Sequence, residues 1–285
     1  MSLSLARLLE PLLARGEPAV LVTVAEARGS TPREAGTRML VTGERLYGTV
    51  GGGRLEWEAL QHARAMIASG AESELVDLPL GAALGQCCGG RALLRLERAG
   101  PATLAALAAA EAEEALRQPQ VLVCGAGHVG TALVRALVPL PVSLVWIDGR
   151  AESVLEPPSG APPPARDDPA EAVAALRASA AVAIMTHSHD LDYDIATAAL
   201  RRDDLAYVGL IGSATKRRRF ERLFTARGGD PRALERLVCP IGDVGIVDKR
   251  PEVIAAFTAA ELLAALGRAG ALGGAAPAAV RRAAG

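Results

Sequence analysis

The stretch VLVCGAGHVGTALVRAL, residues 121–137, decides the fold of the second half of the chain. An apolar run leads into three glycines, Gly125, Gly127 and Gly130, and then into a helical pattern. Gly125 permits a tight turn, Gly127 lets the backbone approach a diphosphate, and Gly130 lets the helix pack on the strand. Asp148 ends the next apolar run, where it would accept hydrogen bonds from a ribose diol. The spacing predicts a phosphate-containing ligand, and glycines that serve packing alone are the alternative.

Around this stretch, apolar runs alternate with helical patterns over residues 120–267, which predicts βαβ units on a parallel sheet. The expected strands are VLVCGAG, SLVWIDG, AVAIMTH and YVGLIGS. Polar clusters follow the later strands, and the carboxyl ends of parallel strands share the edge where ligands bind. Ser213 and Lys216 resemble a second anion-binding helix start at that edge, and Arg150 would favour a phosphate there.

A metal is a weaker hypothesis for the cluster THSHD at this edge. His187, His189 and Asp190 offer suitable ligand atoms, but His-x-His on a loop is unspecific. Capping of the following helix by Asp190 is the simpler explanation.

Residues 1–98 follow a different pattern, with one helix and then short β-branched runs punctuated by Gly and Pro. This pattern predicts a small α+β domain. Residues 99–119 are predicted to form a helical linker, and the Ala- and Gly-rich residues 268–285 a flexible tail. The predicted fold class is α/β, with the N-terminal α+β domain followed by a Rossmann-like parallel-sheet domain at 120–267.

Two segments of the first domain offer groups that could bind an anion. Gly51, Gly52 and Gly53 directly precede a helix, so their backbone amides could form an anion nest. The loop at 28–33 carries two arginines and two hydroxyls. An ordinary Gly-rich turn and an exposed loop explain these residues equally well.

The segment LGQCCGGR, residues 84–91, places Cys87 and Cys88 side by side. A disulfide between neighbours is strained, and zinc sites prefer the C-x2-C spacing with a second pair. A nucleophilic or soft-ligand thiolate, made more acidic by Arg91, remains as the functional interpretation. Small buried hydrophobic side chains are the structural alternative, and residue chemistry alone favours it.

The overall composition excludes several classes of protein. The net charge is −1, so bulk electrostatics give no reason to expect nucleic acid or a membrane surface as partner. Apolar runs stay well below the roughly 18 residues of a transmembrane helix. The 4 cysteines are few and scattered, which favours free thiols in a reducing compartment. We therefore expect a cytoplasmic protein.

Eight ordered motifs together resemble the xanthine dehydrogenase accessory protein family, XdhC, within the XdhC and CoxI superfamily. The resemblance runs from about Leu21 to Leu266. The doubled cysteine and the segment GLIGSATKRRRF resemble the xanthine dehydrogenase branch more than the relatives of carbon monoxide dehydrogenase. The motifs are ARGSTPREAGTRMLV, GTVGGGRLEWEAL, LGQCCGGR, VLVCGAGHVGTALVRAL, WIDGR, THSHDLDYDI, YVGLIGSATKRRRF and CPIGDVGIVDKRPEVIAAFTAAELL.

The resemblance implies a molybdenum cofactor chaperone of purine catabolism and not a metabolic enzyme. Such a protein binds molybdopterin, keeps it while a cysteine desulfurase supplies sulfur, and delivers it to xanthine dehydrogenase. The family fold combines an N-terminal domain with a Rossmann domain, often in a homodimer. Matched residue by residue, the family's motif positions here are Cys87, Cys88, Gly51–Gly53 and the loop of Gly125, Gly127 and Gly130.

Roles within that function are hypotheses at this stage. The helix start at Gly125–Gly130 would hold the phosphate end of the cofactor, and Cys87 or Cys88 would face molybdenum as a soft ligand or carry sulfur. An NAD(P)-dependent oxidoreductase with His187 or His189 as acid–base is the alternative from another class. A nucleotide-sensing module without catalysis is a third.

Overall fold

The computed structural model describes residues 4–80, 90–150, 156–245 and 248–272. The chain forms two compact units, Leu3–Glu114 and the remainder from Ala115 onward. Among the described residues, no helix combines the length and the apolar character needed to cross a bilayer.

The N-terminal unit is built on an antiparallel sheet with the strand order β3-β2-β1-β5-β4. Its central strand, β1, is buried along its first six residues because helices cover both faces. Val22 packs among the side chains of α2, whereas Leu21 packs with Leu9 of α1. The described elements are α1 (Leu5–Ala14), β1 (Ala19–Arg28), β2 (Arg38–Thr42), β3 (Leu46–Gly48), α2 (Gly53–Ser69), β4 (Ser73–Leu80), β5 (Gly90–Arg98) and α3 (Pro101–Arg117).

The C-terminal unit is built on a parallel sheet with the strand order β10-β9-β8-β6-β7. Helices cover both of its faces, so its strands are nearly continuous apolar runs. The described elements are β6 (Gln120–Cys124), α4 (His128–Leu137), β7 (Ser143–Ile147), α5 (Pro169–Ala174), β8 (Ala181–Ile184), α6 (His189–Leu200), β9 (Tyr207–Leu210), α7 (Ala214–Ala226), a 3₁₀ helix (Pro231–Arg236), β10 (Leu237–Val238) and α8 (Pro251–Arg268).

The strand order creates a topological switch point in this sheet. The chain passes from β6 to β7 on one side and from β8 to β9 on the other, so the crevice that such sheets use for ligands lies between the carboxyl ends of β6 and β8. Residues 125–130 and 186–188 follow those two strands, and we call these two segments the switch point.

The predicted fold class is confirmed: an α+β domain, whose sheet is antiparallel, precedes a Rossmann-like domain with a parallel sheet. The helices predicted in this unit follow its first, third and fourth strands, so α5, the 3₁₀ helix and α8 were not predicted. Asp168 precedes the short α5 and caps it by accepting hydrogen bonds from the backbone N–H groups of Ala170 and Glu171. Its six residues are too few for a hydrophobic period to be visible in the sequence. The domain boundaries remain predictions, and most of the predicted tail, 273–285, lies outside the described residues.

Candidate functional site

Gly125 is held at the end of β6 by contacts that leave no room for a side chain. Its N–H donates to the Ile147 carbonyl at 2.8 Å, and its own carbonyl accepts from Nε1 of Trp146 at 3.0 Å. Its φ of +119° is unfavourable for other residues. A Cβ at this position would also overlap the carbonyl oxygen of Met185. Protein packing alone therefore requires glycine here.

The other two glycines of the turn differ from each other. A Cβ on Gly130 would overlap the carbonyl oxygen of Gly125, so this glycine lets α4 pack against the turn. Gly127 caps α4 with ordinary extended backbone, and a Cβ there would meet nothing within 4 Å. Packing thus explains Gly125 and Gly130. The space beside Gly127 is where the helix start could receive a phosphate group.

Asp148 is buried beside this turn, and its carboxylate is surrounded by donors. Oδ2 accepts from the Ala126 N–H at 2.6 Å and from Nη2 of Arg150 at 2.7 Å. Oδ1 accepts from the Arg150 N–H and from Arg150 Nε, each at 3.0 Å. Burial raises the pKa of Asp148, but the hydrogen bonds from Arg150 and Ala126 outweigh it and lower the pKa to about 2. The carboxylate is therefore ionised at neutral pH.

Lys216 has a partner that the sequence did not reveal. Its Nζ lies 2.5 Å from Oδ2 of Asp192, and the two side chains are only 10% and 1% exposed. Oδ1 of Asp192 accepts from the Thr186 N–H at 2.9 Å and from the Thr186 hydroxyl at 2.7 Å. Ser213 caps α7 by accepting from the Lys216 N–H at 3.3 Å. This network fixes one side of the switch point, and the role of Ser213 and Lys216 in cofactor binding stays a prediction.

Asp192 and Glu261 are the polar residues of this edge that sequence reasoning missed. The available sequence signal was the helical spacing of Asp192 with Ile195, Ala196 and Ala199, because a lone carboxylate on an apolar face needs a partner. Glu261 of α8 accepts from the Tyr207 hydroxyl at 2.9 Å and from the Gly242 N–H at 3.0 Å. It thereby holds the loop that follows β10.

The helix after THSHD is capped by Ser188, which accepts from the Leu191 N–H at 3.4 Å. Asp190 lies in the first turn of that helix, where its negative charge interacts favourably with the positive end of the helix dipole. The capping residue is therefore two positions earlier than expected. Over the described ranges, no three His, Cys, Asp or Glu side chains come together as a metal-binding group.

In the N-terminal unit, three sequence motifs converge on the loop 28–33. A Cβ on Gly51 would lie 2.6 Å from Cγ of Pro32, so the Gly-rich turn packs directly on this loop. A Cβ on Gly90 would overlap the carbonyl oxygen of Ser30. Gly90 is the first residue of β5, so the start of β5 and the Gly-rich turn both pack on the loop 28–33.

The Gly51–Gly53 turn already uses part of its hydrogen-bonding capacity. The Gly51 N–H donates to the Thr49 hydroxyl at 3.1 Å, and that hydroxyl donates to the carboxylate of Glu56. Glu56 lies in the first turn of α2, where its negative charge opposes a second anion. Cofactor binding by these glycines stays a prediction.

A cavity of about 300 Å³ is lined by residues of β1, β4 and β5, namely Glu26, Arg28, Asp77, Arg91 and Leu93. Arg91 binds Asp77 through two nitrogens, with Nε at 2.6 Å from Oδ1. Side-chain hydrogen bonding with Arg91 lowers the pKa of Asp77. The Arg91 guanidinium was expected to make the neighbouring thiols of Cys87 and Cys88 more acidic. Its positive charge is thus shared with the Asp77 carboxylate.

Cys87 and Cys88 lie outside the described residues. The strands on either side of them are described, and Leu80 at the end of β4 pairs with Gly90 at the start of β5. The two cysteines lie between these two strands in the sequence. Their roles as soft ligand, metal contact or sulfur carrier remain predictions.

We expect Cys124 and Cys239 to be inert toward alkylation in the folded protein. Both thiols are buried, and burial raises the pKa of each, so little nucleophilic thiolate is present. Iodoacetamide at pH 8 should label them at least ~100-fold more slowly than in guanidinium, as read by mass spectrometry of peptides. Equal labelling rates with and without denaturant would contradict the burial of these two thiols.

Comparisons with known proteins give a consistent result for both units. The model of the XdhC Rossmann domain matches residues 121–262, and that of the XdhC and CoxI family matches residues 12–78. Residues 79–120, which include both adjacent cysteines, lie between the two matched ranges.

Two individual proteins are also similar. The uncharacterized protein YqeB of Escherichia coli (strain K12) is 28% identical over 259 residues, which are 86% of this chain and 43% of that protein. The chain thus spans less than half the length of this relative. A crystal structure from Bacillus halodurans, described as a xanthine dehydrogenase, superposes with a TM-score of 0.69 at 21% identity. The superposition covers 92% of this chain and 95% of the other, and it shows a shared fold.

Proposed function

The chain belongs to the XdhC and CoxI family, and on that premise we propose that it is an accessory protein of xanthine dehydrogenase. In this proposal it binds the molybdenum cofactor, keeps it while a cysteine desulfurase provides the terminal sulfur, and delivers it to the molybdenum-binding subunit. It works in the cytoplasm and carries out no metabolic reaction of its own.

The observation that carries this proposal is the match of both family models, in order, to the two folded units of one chain. A Rossmann-like domain alone hosts many unrelated functions, so it would not discriminate among them. The additional N-terminal domain matches the XdhC and CoxI family model, and a simple nucleotide-dependent oxidoreductase does not require it.

The described residues fit the phosphate end of the cofactor at the start of α4. Gly127 has free space beside it, and the first backbone N–H groups of a helix favour an anion. We assign the phosphate to this position. When bound, the cofactor would supply molybdenum, for which sulfur ligands are well suited.

We assign the contact with molybdenum, as soft ligand or sulfur carrier, to Cys87 or Cys88. Two features of the described residues support this assignment. The other two cysteines are buried, and the described strand that follows the pair in sequence begins at Gly90, which packs on the loop 28–33. The carboxylate bound to Arg91 reduces the acidifying effect of that guanidinium, so additional charges would have to stabilise a thiolate.

The test replaces both adjacent thiols in the full chain. Cys87→Ala with Cys88→Ala should leave the thermal midpoint unchanged and lower the activation of xanthine dehydrogenase at least ~10-fold in an anaerobic reconstitution, because a replaced thiol cannot hold soft metal or sulfur. Cys239→Ala is the matched control, since this thiol is buried in the other unit. Unchanged activation in the double variant would remove the cysteines from the function.

Retention of cofactor by the protein tests the wider proposal. The wild-type chain should copurify with, or take up anaerobically, a pterin that becomes fluorescent on oxidation. Retention of a nicotinamide nucleotide with no pterin would instead support the oxidoreductase alternative.

A further inference from the structure

The Asp148 carboxylate occupies the position where Rossmann domains that bind NAD recognise the ribose diol. That recognition needs acceptor capacity on the carboxylate, because both ribose hydroxyls donate to it. A carboxylate offers about four lone-pair directions. A ribose diol can therefore bind Asp148 only if some of these lone-pair directions are free.

All four directions are used by donors of the protein. Two go to Oδ2, from the Ala126 N–H and Arg150 Nη2, and two go to Oδ1, from the N–H and Nε of Arg150. Three of the four therefore come from one residue. The Asp148 side chain is 3% exposed, so no unused face of the carboxylate is open to a ligand.

The Arg150 contact is also of a strong type. Its guanidinium binds the carboxylate through two parallel nitrogens, a charge-assisted geometry that Arg forms better than Lys. A ribose diol would have to displace a positive charge and replace it with neutral hydroxyls. That exchange is unfavourable because the buried carboxylate would lose its counter-ion.

We propose that Arg150 is a specificity-determining residue that closes the switch point to NAD(H) and to other ligands recognised through a ribose diol. The Asp148 carboxylate, which would bind the ribose in an NAD site, here binds Ala126 of the turn and Arg150. Ligands that bind here are restricted to those whose affinity does not depend on that carboxylate. This inference does not depend on the chaperone function.

A direct titration tests the inference. NADH fluorescence is measured with the full chain in the absence of molybdenum cofactor, for wild type, Arg150→Ala and the control Arg135→Ala, which removes an exposed arginine of α4. Wild type and R135A should show no saturation below ~1 mM. R150A should bind at least ~10-fold tighter, because loss of the guanidinium frees one lone-pair direction on each Asp148 oxygen while the two backbone N–H donors stay in place. Micromolar binding of NADH to wild type would overturn the proposal, as would the absence of any gain in a folded R150A protein.

The origin of the gain is tested by a second substitution. Adding Asp148→Asn to R150A should abolish the gain, because the diol then loses its charged acceptor. Arg150→Lys should give an intermediate affinity, since an ammonium cannot form both parallel contacts. A gain that persists with D148N would show that R150A merely enlarges the crevice, and the proposal would fall.

Two further readouts separate the remaining outcomes. Thermal unfolding identifies any variant that has lost its fold, and R150K then provides the measurement in place of R150A. NADPH is titrated in parallel. Micromolar binding of NADPH to wild type that disappears in R150A would make Arg150 a ligand for the 2′-phosphate, which also contradicts the proposal. These titrations contain no molybdenum cofactor, so none of their outcomes bears on the chaperone proposal, which is tested separately.

Discussion

Gly125→Ala lowers the free energy of unfolding of the C-terminal unit by about 3–5 kcal/mol, the sum expected for a strained backbone and an overlap in a packed site. The φ of +119° disfavours any L-residue, and the added Cβ would overlap the Met185 carbonyl. Hydrogen bonds from the turn to Ile147 and from Trp146 prevent the turn from shifting away.

The matched control for this prediction is Gly127→Ala in the same turn. That Cβ meets nothing within 4 Å, so the cost should stay below about 1 kcal/mol, the difference between Gly and Ala at a helix N-cap. Urea unfolding followed by fluorescence measures both variants in a Trp57→Phe background, which leaves the buried Trp146 as the only reporter. Similar midpoints for the two variants would mean that the turn is not packed as described. Loss of ligand binding in a stable G127A protein would in turn support the phosphate position.

Lys216→Met lowers the stability of the same unit by about 3–5 kcal/mol, because it leaves the Asp192 carboxylate buried without a counter-ion. The remaining donors to that carboxylate both come from Thr186, and neutral groups do not replace the charge. The same fluorescence measurement applies to this variant.

A double-mutant cycle shows whether the loss arises from the ion pair. Combining Lys216→Met with Asp192→Asn removes both charges while an amide oxygen can still accept from Thr186. The double variant should therefore be at least about 1 kcal/mol more stable than K216M alone. Strict additivity of the two single losses would exclude coupling between the side chains and refute the buried pair.

The fold was largely predictable because the relevant signals are local. Strands of a sheet covered on both faces are continuous apolar runs, and each such run from 120 onward became a strand. Helix α5 was missed because it has six residues and depends on one cap. In the Pro-rich segment before it, the described residues form a single parallel bridge, between Ala165 and Ile147.

The candidate site was only partly predictable from the sequence. Gly125, Gly130 and Asp148 stand out by spacing. The contact that requires Gly125 is with the Met185 backbone, far away in sequence, whereas Gly130 is required by the nearby Gly125 carbonyl. Lys216 was expected to be an anion ligand because it lies at a helix start. Its ammonium group binds Asp192, 24 residues earlier, and its role toward an anion stays a prediction. A lysine at a helix start has the same local sequence pattern whether it binds an external anion or forms a buried pair with a carboxylate.

The sequence by itself determined the two kinds of sheet, the Gly-rich turn, the edge at which polar residues collect and the family resemblance. All of these depend on periodicity or on backbone requirements that a few neighbouring residues express. The tertiary structure alone decided which partner each charged group has and which of the glycines faces free space. Those properties depend on strand order and on contacts between segments far apart in the chain, as with Lys216 and Asp192 or Gly125 and Met185.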